Sequence, residues 1–332
     1  MTESRTLGVP GGTINYEVEG DGPCLTLIHA GIAHLRMWDE HIPAFTRRYR
    51  VIRYDTRGFG RTRSDDVEFS NRGDLLALLD HLGVERTHLL GISRGGSIAL
   101  DFTLEHPERV SALIVVASSP GGFEHEAPEM DARWAELERL EDAKDWVPLV
   151  EAETQVWVDG PGQSSDRVDP DVRRRMIEWN LENYRAEGGN GRPQPLEPRA
   201  VDRLSEVTVP TLVIWGDLDE PGVPAGSKLM ASAIPGARSH LFPGVAHMVD
   251  LEPRATSSSR ARLPRRGRSE PGGRQPGDVL TDLVGTGVAR SVPVHSTPCC
   301  AAHDSNYLAR SETHRFAMVH RARNPGESGN AR

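Results

Sequence analysis

The stretch "LLGISRGGS", residues 89–97, holds a serine between glycines, with Gly91, Ser93 and Gly95 in a Gly-x-Ser-x-Gly pattern. A serine so placed can be the nucleophile of acyl transfer, provided that a base removes its proton as it attacks. It can equally be a small residue in a glycine-rich turn. A five-residue pattern with three fixed positions arises often by chance, so its surroundings must decide. A nucleophilic serine of this kind needs a buried strand before it, a helix after it, and partners in a set chain order.

The elements that would position it are legible in the hydropathy pattern. Short apolar runs bounded by turn residues occur at 13–19, 24–29, 50–55, 87–92, 112–118, 210–216 and 238–244. The later ones are continuous, as strands buried on both faces of a parallel sheet must be. Helical patterns separate them: in "SNRGDLLALLDHLG", Leu75, Leu76, Leu78, Leu79 and Leu82 share one side. Strand alternating with helix predicts an α/β fold with a doubly wound, mostly parallel sheet. The opening "TLGVPGGTINYEVEG" predicts an antiparallel hairpin at the sheet edge, turning at residues 10–12.

One interval breaks the alternation. Between residues 118 and 210 no strand is expected, but helical spacing is plain. Met130, Trp134, Leu137 and Leu140 fall on one face, and Val172, Met176, Ile177, Leu181 and Tyr184 on another. Four of the six tryptophans (Trp134, Trp146, Trp157 and Trp179) lie here. They read first as packing residues of a helical cap; the functional reading is that some wall an apolar pocket over the sheet. The expected organisation is a core over 1–118, a cap over 119–205, the rest of the core over 206–252, and an atypical tail over 253–332.

Ser93 thus follows a buried strand and precedes a helix that ends near Pro107. A tight strand-to-helix turn strains the backbone and needs small neighbours, which Gly91, Gly95 and Gly96 supply. The turn also puts the backbone N–H of Arg94 at a helix N-terminus, where unpaired donors and the helix dipole favour an oxyanion.

With these residues in view the chain resembles the α/β-hydrolase family over about residues 7–252. "LIHAGIAHLRMWD" is similar to the family's oxyanion loop, "RYDTRGFGRT" to its Asp-x-Arg-Gly-x-Gly turn, and "GISRGG" to its nucleophile elbow. "VPTLVIWGDLDEPGVP" resembles the strand and loop that bear the acid, and "FPGVAHMVDLEP" the loop that bears the histidine. The resemblance implies a Ser93–Asp219–His247 triad in the family's Ser, Asp, His order. Asp217 and Glu220 are neighbouring carboxylates, but the family motif puts the acid at Asp219. Where many relatives read His-Gly-x, this chain reads His29-Ala30-Gly31-Ile32. Aligned on Trp38, the loop places the first oxyanion N–H on Gly31, with Arg94 giving the second. Asp55 and Arg57 are expected to brace loops, His34 to be a solvated loop histidine, and His29 with His34 to form no metal pair.

A serine at the elbow, rather than the aspartate of relatives that form alkyl esters, points to acyl transfer. The "YDTRGFGRT" and "GISRGG" forms look most like carboxylesterases and 3-oxoadipate enol-lactonases, which implies hydrolysis of a small ester or lactone without cofactor or metal. Alternatives on the same residues are a C–C bond hydrolase, a cofactor-free perhydrolase, or a non-catalytic ligand-binding protein of this fold.

The bulk composition is consistent with this. The 332 residues carry a formal charge of −9, and only two of the 39 basic residues are lysines, Lys144 and Lys228. Such use of arginine suggests a gene rich in G and C. Residues 253–332 hold 13 Arg against 6 Asp or Glu, so the rest of the chain is strongly acidic, which argues against a nucleic-acid partner. No apolar run approaches the roughly 18 residues that span a bilayer, and the N-terminus lacks a signal-peptide pattern. A cytoplasmic protein with no membrane partner is the expectation. The tail keeps no helical apolar spacing where the family expects a final helix. Three origins fit: a disordered extension, a basic arm ("RARLPRRGR"), or a frameshift near Glu252. Synonymous codons for residues 252–268, read one base later, permit "SPERLQAAELDFLVEV", an amphipathic helix of the missing kind.

Overall fold

The computed structural model describes residues 3–251 apart from 187, 188 and 190; the tail over 253–332 lies outside the described residues. Eight strands of the main sheet are β1 (Arg5–Val9), β2 (Gly12–Glu19), β3 (Cys24–Ile28), β4 (Arg50–Tyr54), β5 (Thr87–Ile92), β6 (Val110–Val116), β7 (Thr211–Gly216) and β8 (Arg238–Phe242). They lie in the order β1-β2-β4-β3-β5-β6-β7-β8. The β1–β2 hairpin is antiparallel to each other and to β4, and every pair from β4 to β8 is parallel. The chain steps from β3 to β4 on one side and then to β5 on the other. That reversal at β3/β5 opens a crevice at the strands' C-terminal ends, the usual ligand position in doubly wound sheets.

Side chains two apart share a face, and the strands sort accordingly. Leu25, Leu27, Leu90, Ile92, Ile114, Val116, Leu212 and Ile214 join one buried cluster, with Trp38 and Phe45. Ile28, Leu89, Leu113, Val115, Val213 and Trp215 join the other. That second face is covered by α1 (Asn71–His81), through Leu75, Leu78 and Leu79, and by α2 (Arg94–Glu105), through Ile98, Ala99 and Phe102. Ser70 caps α1 by accepting from the Gly73 N–H at 3.1 Å.

The inserted cap carries α3 (Asp131–Asp142), α4 (Trp146–Thr154), a π-helical turn at Gln155–Asp159, and α5 (Pro170–Arg185). Leu137, Leu140 and Leu149 form its own small core, whereas Val158, Val172 and Met176 pack into the first cluster of the sheet. The α5 face deviates from the sequence pattern: Asn180 is buried, whereas Ile177, Leu181 and Tyr184 are only half-buried. After the cap, Leu196, Ala200 and Leu204 pack against the second face, and α6 (Gly222–Ala233) follows β7. A strand not expected from the sequence occurs at Arg192–Pro193, parallel to Glu68–Phe69. Two residues are too few for an alternating pattern, and a proline argues against a strand except at an edge.

Candidate active site

Ser93 stands directly between β5 and α2 at φ 55° and ψ −122°, a left-handed conformation that a side-chain-bearing residue adopts only at a cost of roughly 1–3 kcal/mol. The surroundings hold it there. Its N–H donates to the Val116 carbonyl at 2.8 Å, and its carbonyl accepts from Gly96 N–H at 2.8 Å and from the Ser118 hydroxyl at 2.8 Å. A Cβ at Gly91 would collide with the Gly95 carbonyl, and one at Gly95 with the carbonyls of Ile28 and His29. The glycines of the motif therefore let helix α2 start against the ends of β3 and β5. The Arg94 N–H is the first of the helix and has no intrahelical acceptor.

The other two residues expected from the sequence are brought together. His247 and Asp219 are both buried, and the imidazole Nδ1 lies 2.8 Å from Asp219 Oδ2 and 3.0 Å from Oδ1. An ionised carboxylate only accepts, so Nδ1 carries a proton and, in the neutral imidazole, Nε2 is the nitrogen left to act as base. The neighbouring carboxylates have other tasks. Asp217 Oδ1 accepts from Gly244 N–H at 2.6 Å, tying the acid loop to the histidine loop. Glu220 Oε2 accepts from Gly222 N–H at 2.9 Å at the start of α6, and burial pushes its carboxyl up. The β7–β8 ladder runs on beyond the strands through Leu218 N–H to Val245 O at 3.0 Å, which sets the spacing of the two loops. Among the described residues no hydrogen bond joins Ser93 Oγ to His247; such bonds commonly tighten only when substrate is bound.

The loop after β3 carries Gly31, partly accessible, beside the buried Ala30 and Ile32. Asp55 braces it, accepting from Leu35 N–H at 2.8 Å, Arg61 N–H at 2.9 Å and Asn15 Nδ2 at 2.8 Å. Arg57 forms a forked pair with Asp74 at 2.7 and 2.9 Å. Both act as the bracing residues expected of them.

Four contacts were not legible in the sequence. His29 is fully buried: Nε2 accepts from Thr56 N–H at 3.0 Å, so Nδ1 donates to the Ala30 carbonyl at 2.7 Å, and burial drives its pKa down to about 3. The Arg94 guanidinium is buried over the Phe59 ring, donates to Thr56 Oγ1 at 2.5 Å, and has its pKa lowered by burial to about 10. His34 is buried rather than solvated, with Trp179 at 5.4 Å between ring centres and Glu182 at 3.6 Å, because α5 covers its loop. From the cap, Trp157 lies against His247 with ring centres 4.7 Å apart.

A doubly wound sheet with a serine elbow after β5, a carboxylate after β7 and a histidine after β8 defines an α/β-hydrolase. The chain belongs to the alpha/beta hydrolase fold family, whose model matches residues 23–252. It is 29% identical over 249 residues to a pimeloyl-[acyl-carrier protein] methyl ester esterase of Aeromonas hydrophila, covering 71% of this chain and 92% of that protein. It is 30% identical over 251 residues to a 2-hydroxy-6-oxo-6-phenylhexa-2,4-dienoate hydrolase of Comamonas testosteroni, covering 72% and 86%. Its fold is shared with the enol-lactonase of Burkholderia xenovorans LB400, at a TM-score of 0.60 and 23% identity over 74% of this chain and 94% of that one. The protein is a hydrolase of this family. Among the described residues no helix is long and apolar enough to cross a membrane.

Proposed function

We propose that the protein is a serine hydrolase that cleaves a carboxylic ester or lactone through an acyl-enzyme on Ser93. The observation that carries this reading is the strained Ser93 at the start of α2, at the C-terminal ends of the strands where the buried His247–Asp219 pair also lies. In acylation the His247 Nε2 takes the Ser93 proton as Oγ attacks the carbonyl carbon. The imidazolium, stabilised by Asp219, then protonates the departing alcohol. The N–H groups of Gly31 and Arg94 receive the carbonyl oxygen as it becomes an oxyanion, a contribution worth about 2.7–4 kcal/mol per donor in related chemistry. Water, deprotonated by His247, attacks the acyl-enzyme and releases the acid and Ser93.

A second reading, cleavage of an activated C–C bond by the same residues, is favoured by the Comamonas relative, which is named for such a substrate. Labelling with a fluorophosphonate, read by intact mass and peptide mapping, tests the nucleophile. A single adduct on Ser93, absent from Ser93→Ala, supports the reading. No adduct on folded protein overturns it. Comparing turnover of simple aryl and alkyl esters with that of a vinylogous diketone acid then separates ester from C–C cleavage.

A further inference from the structure

Trp157 is brought to His247 by an unusual piece of backbone. The turn at Gln155–Asp159 is π-helical, a geometry that recurs at functional sites. Its C-terminal end is fastened. Asp159 is buried and pairs with Arg173 of α5 at 3.0 Å, while Arg167 donates to the carbonyls of Val158 and Asp159, each at 2.8 Å. The same Arg167 reaches the Gly244 carbonyl at 3.3 Å, in the loop that leads to His247. Just beyond, Gly160 at φ +92° comes so close to the acid and histidine loops that a Cβ there would lie 2.8 Å from the Leu218 carbonyl and 3.2 Å from Ala246 Cβ. The cap is thus docked onto both loops of the Asp219–His247 pair, and the docked turn aims an indole at the imidazole.

The Trp157 ring lies 4.7 Å from that of His247, tilted by 49°, and is backed by Trp134 at 5.7 Å. Unlike Val156 and Val158 on either side, it is only half-buried, so part of its surface is left uncovered by the protein. The direction of the chemistry gives that surface a meaning. His247 Nδ1 is committed to Asp219, so Nε2 faces the reacting centre. The group that Nε2 protonates is the leaving group, and what flanks His247 therefore flanks the leaving group.

We propose that Trp157 is the wall of the leaving-group subsite, and that this subsite takes flat, apolar leaving groups, aryl above all, in preference to small alkyl ones. The proposal rests on the triad reading given above. An indole offers a large rigid apolar face, and an offset or edge-on aromatic partner gains about 0.5–1.5 kcal/mol beyond its buried area. No covalent step is added: the phenol or enol leaves with the proton from His247, as any alcohol would.

The test compares phenyl butyrate with methyl butyrate, which share an acyl group, and phenyl butyrate with phenyl acetate, which share a leaving group. Trp157→Ala is expected to lower kcat/KM for phenyl butyrate about tenfold and for methyl butyrate less than threefold. The acetate-to-butyrate ratio stays as in the wild type, and Trp157→Phe recovers most of the loss. An equal fall for both butyrates marks a merely structural residue and overturns the proposal. Should Trp157→Ala not fold, Trp157→Leu keeps apolar volume without the ring and is judged by the same ratio. Binding of the two butyrates to Ser93→Ala and to the Ser93→Ala, Trp157→Leu double variant, measured by NMR titration, needs no turnover. If the wild-type protein cleaves neither ester and takes no fluorophosphonate adduct on Ser93, the serine-hydrolase reading fails. The subsite is then decided by whether the double variant selectively loses phenyl butyrate.

Discussion

Asn183, on the last helix of the cap, donates from its side-chain amide to the Ala33 carbonyl at 3.1 Å, two residues beyond Gly31. Its Oδ1 accepts from Gly60 N–H at 3.0 Å, in the turn after β4. One side chain thus ties α5 to the loop that carries Gly31 and to the turn after β4. Replacing Asn183 by Ala removes both bonds, each worth about 0.5–1.5 kcal/mol. The expected result is a kcat lowered roughly tenfold with KM little changed, since a loosened loop harms the transition state more than the ground state. Asn183→Asp keeps the acceptor for Gly60 but sets a carboxylate against the Ala33 carbonyl, so it should be no better than Ala. A uniform rise in KM with kcat intact would contradict this account.

The three carboxylates of the acid loop should separate in activity. Asp219→Asn keeps the shape but offers His247 the wrong partner for its Nδ1–H tautomer, and a fall in kcat of about 10⁴ is expected. Asp217→Asn keeps an amide oxygen to accept from Gly244 N–H, and Glu220→Gln one to accept from Gly222 N–H, so each loses only the charge on its acceptor. Both should stay within about tenfold of the wild type. Steady-state rates of the three purified variants on one aryl ester decide it.

The sequence carries the sheet because its strands are short, continuous and apolar, and it carries the elbow because backbone crowding at Gly91 and Gly95 admits no side chain. The position of Asp219 was reached from the motif, and the structure gives it a distinct partner from its two acidic neighbours. Part of what could not be read shares one cause. Asn183, Trp157 and His34 act across the cap–core junction, where partners are far apart in the chain and no periodicity links them. The buried face of α5 departs from the apolar pattern because Asn180 donates to Glu153 of α4 at 2.6 Å within the cap, a pairing that hydropathy does not register.

His29 links stability to pH with a definite sign. Its folded pKa, about 3, lies below the ordinary value of 6.5, so between these limits the unfolded chain binds the proton more readily. The stability it confers is complete above pH 6.5 and is lost as pH falls toward 3, by up to about 1.4 kcal/mol per pH unit. His29→Gln keeps an acceptor for the Thr56 N–H but does not titrate. At pH 7 this variant should be less stable by roughly 1–3 kcal/mol, the cost of disturbing a buried hydrogen bond. The gap to the wild type should narrow steadily in urea melts at pH 6 and pH 5. A gap independent of pH would show that His29 takes up its proton equally in the folded and unfolded chains.

Asp101, on α2, carries the opposite sign. Burial is the main cause that raises its pKa to about 7; the charge of Glu105 adds to this, and Arg72 and Arg203 offset part of it. Among the described residues its Oδ1 is buried without a hydrogen-bond partner. A carboxyl whose folded pKa is raised destabilises the fold when ionised, in full above pH 7 and not at all below its ordinary value of 3.8. Glu153 is also raised to about 7, but it accepts from Asn180 and from Tyr184 at 2.9 Å, so its replacement would cost those bonds. Asp101→Asn forfeits no such partner at Oδ1. It should therefore raise stability at pH 8 by roughly 1–3 kcal/mol, the cost of an unsatisfied buried group. The gain should shrink as pH falls and vanish near pH 4. Thermal melts of the two proteins across that range check it, and a gain that persists at pH 4 would place its origin in packing rather than in the charge.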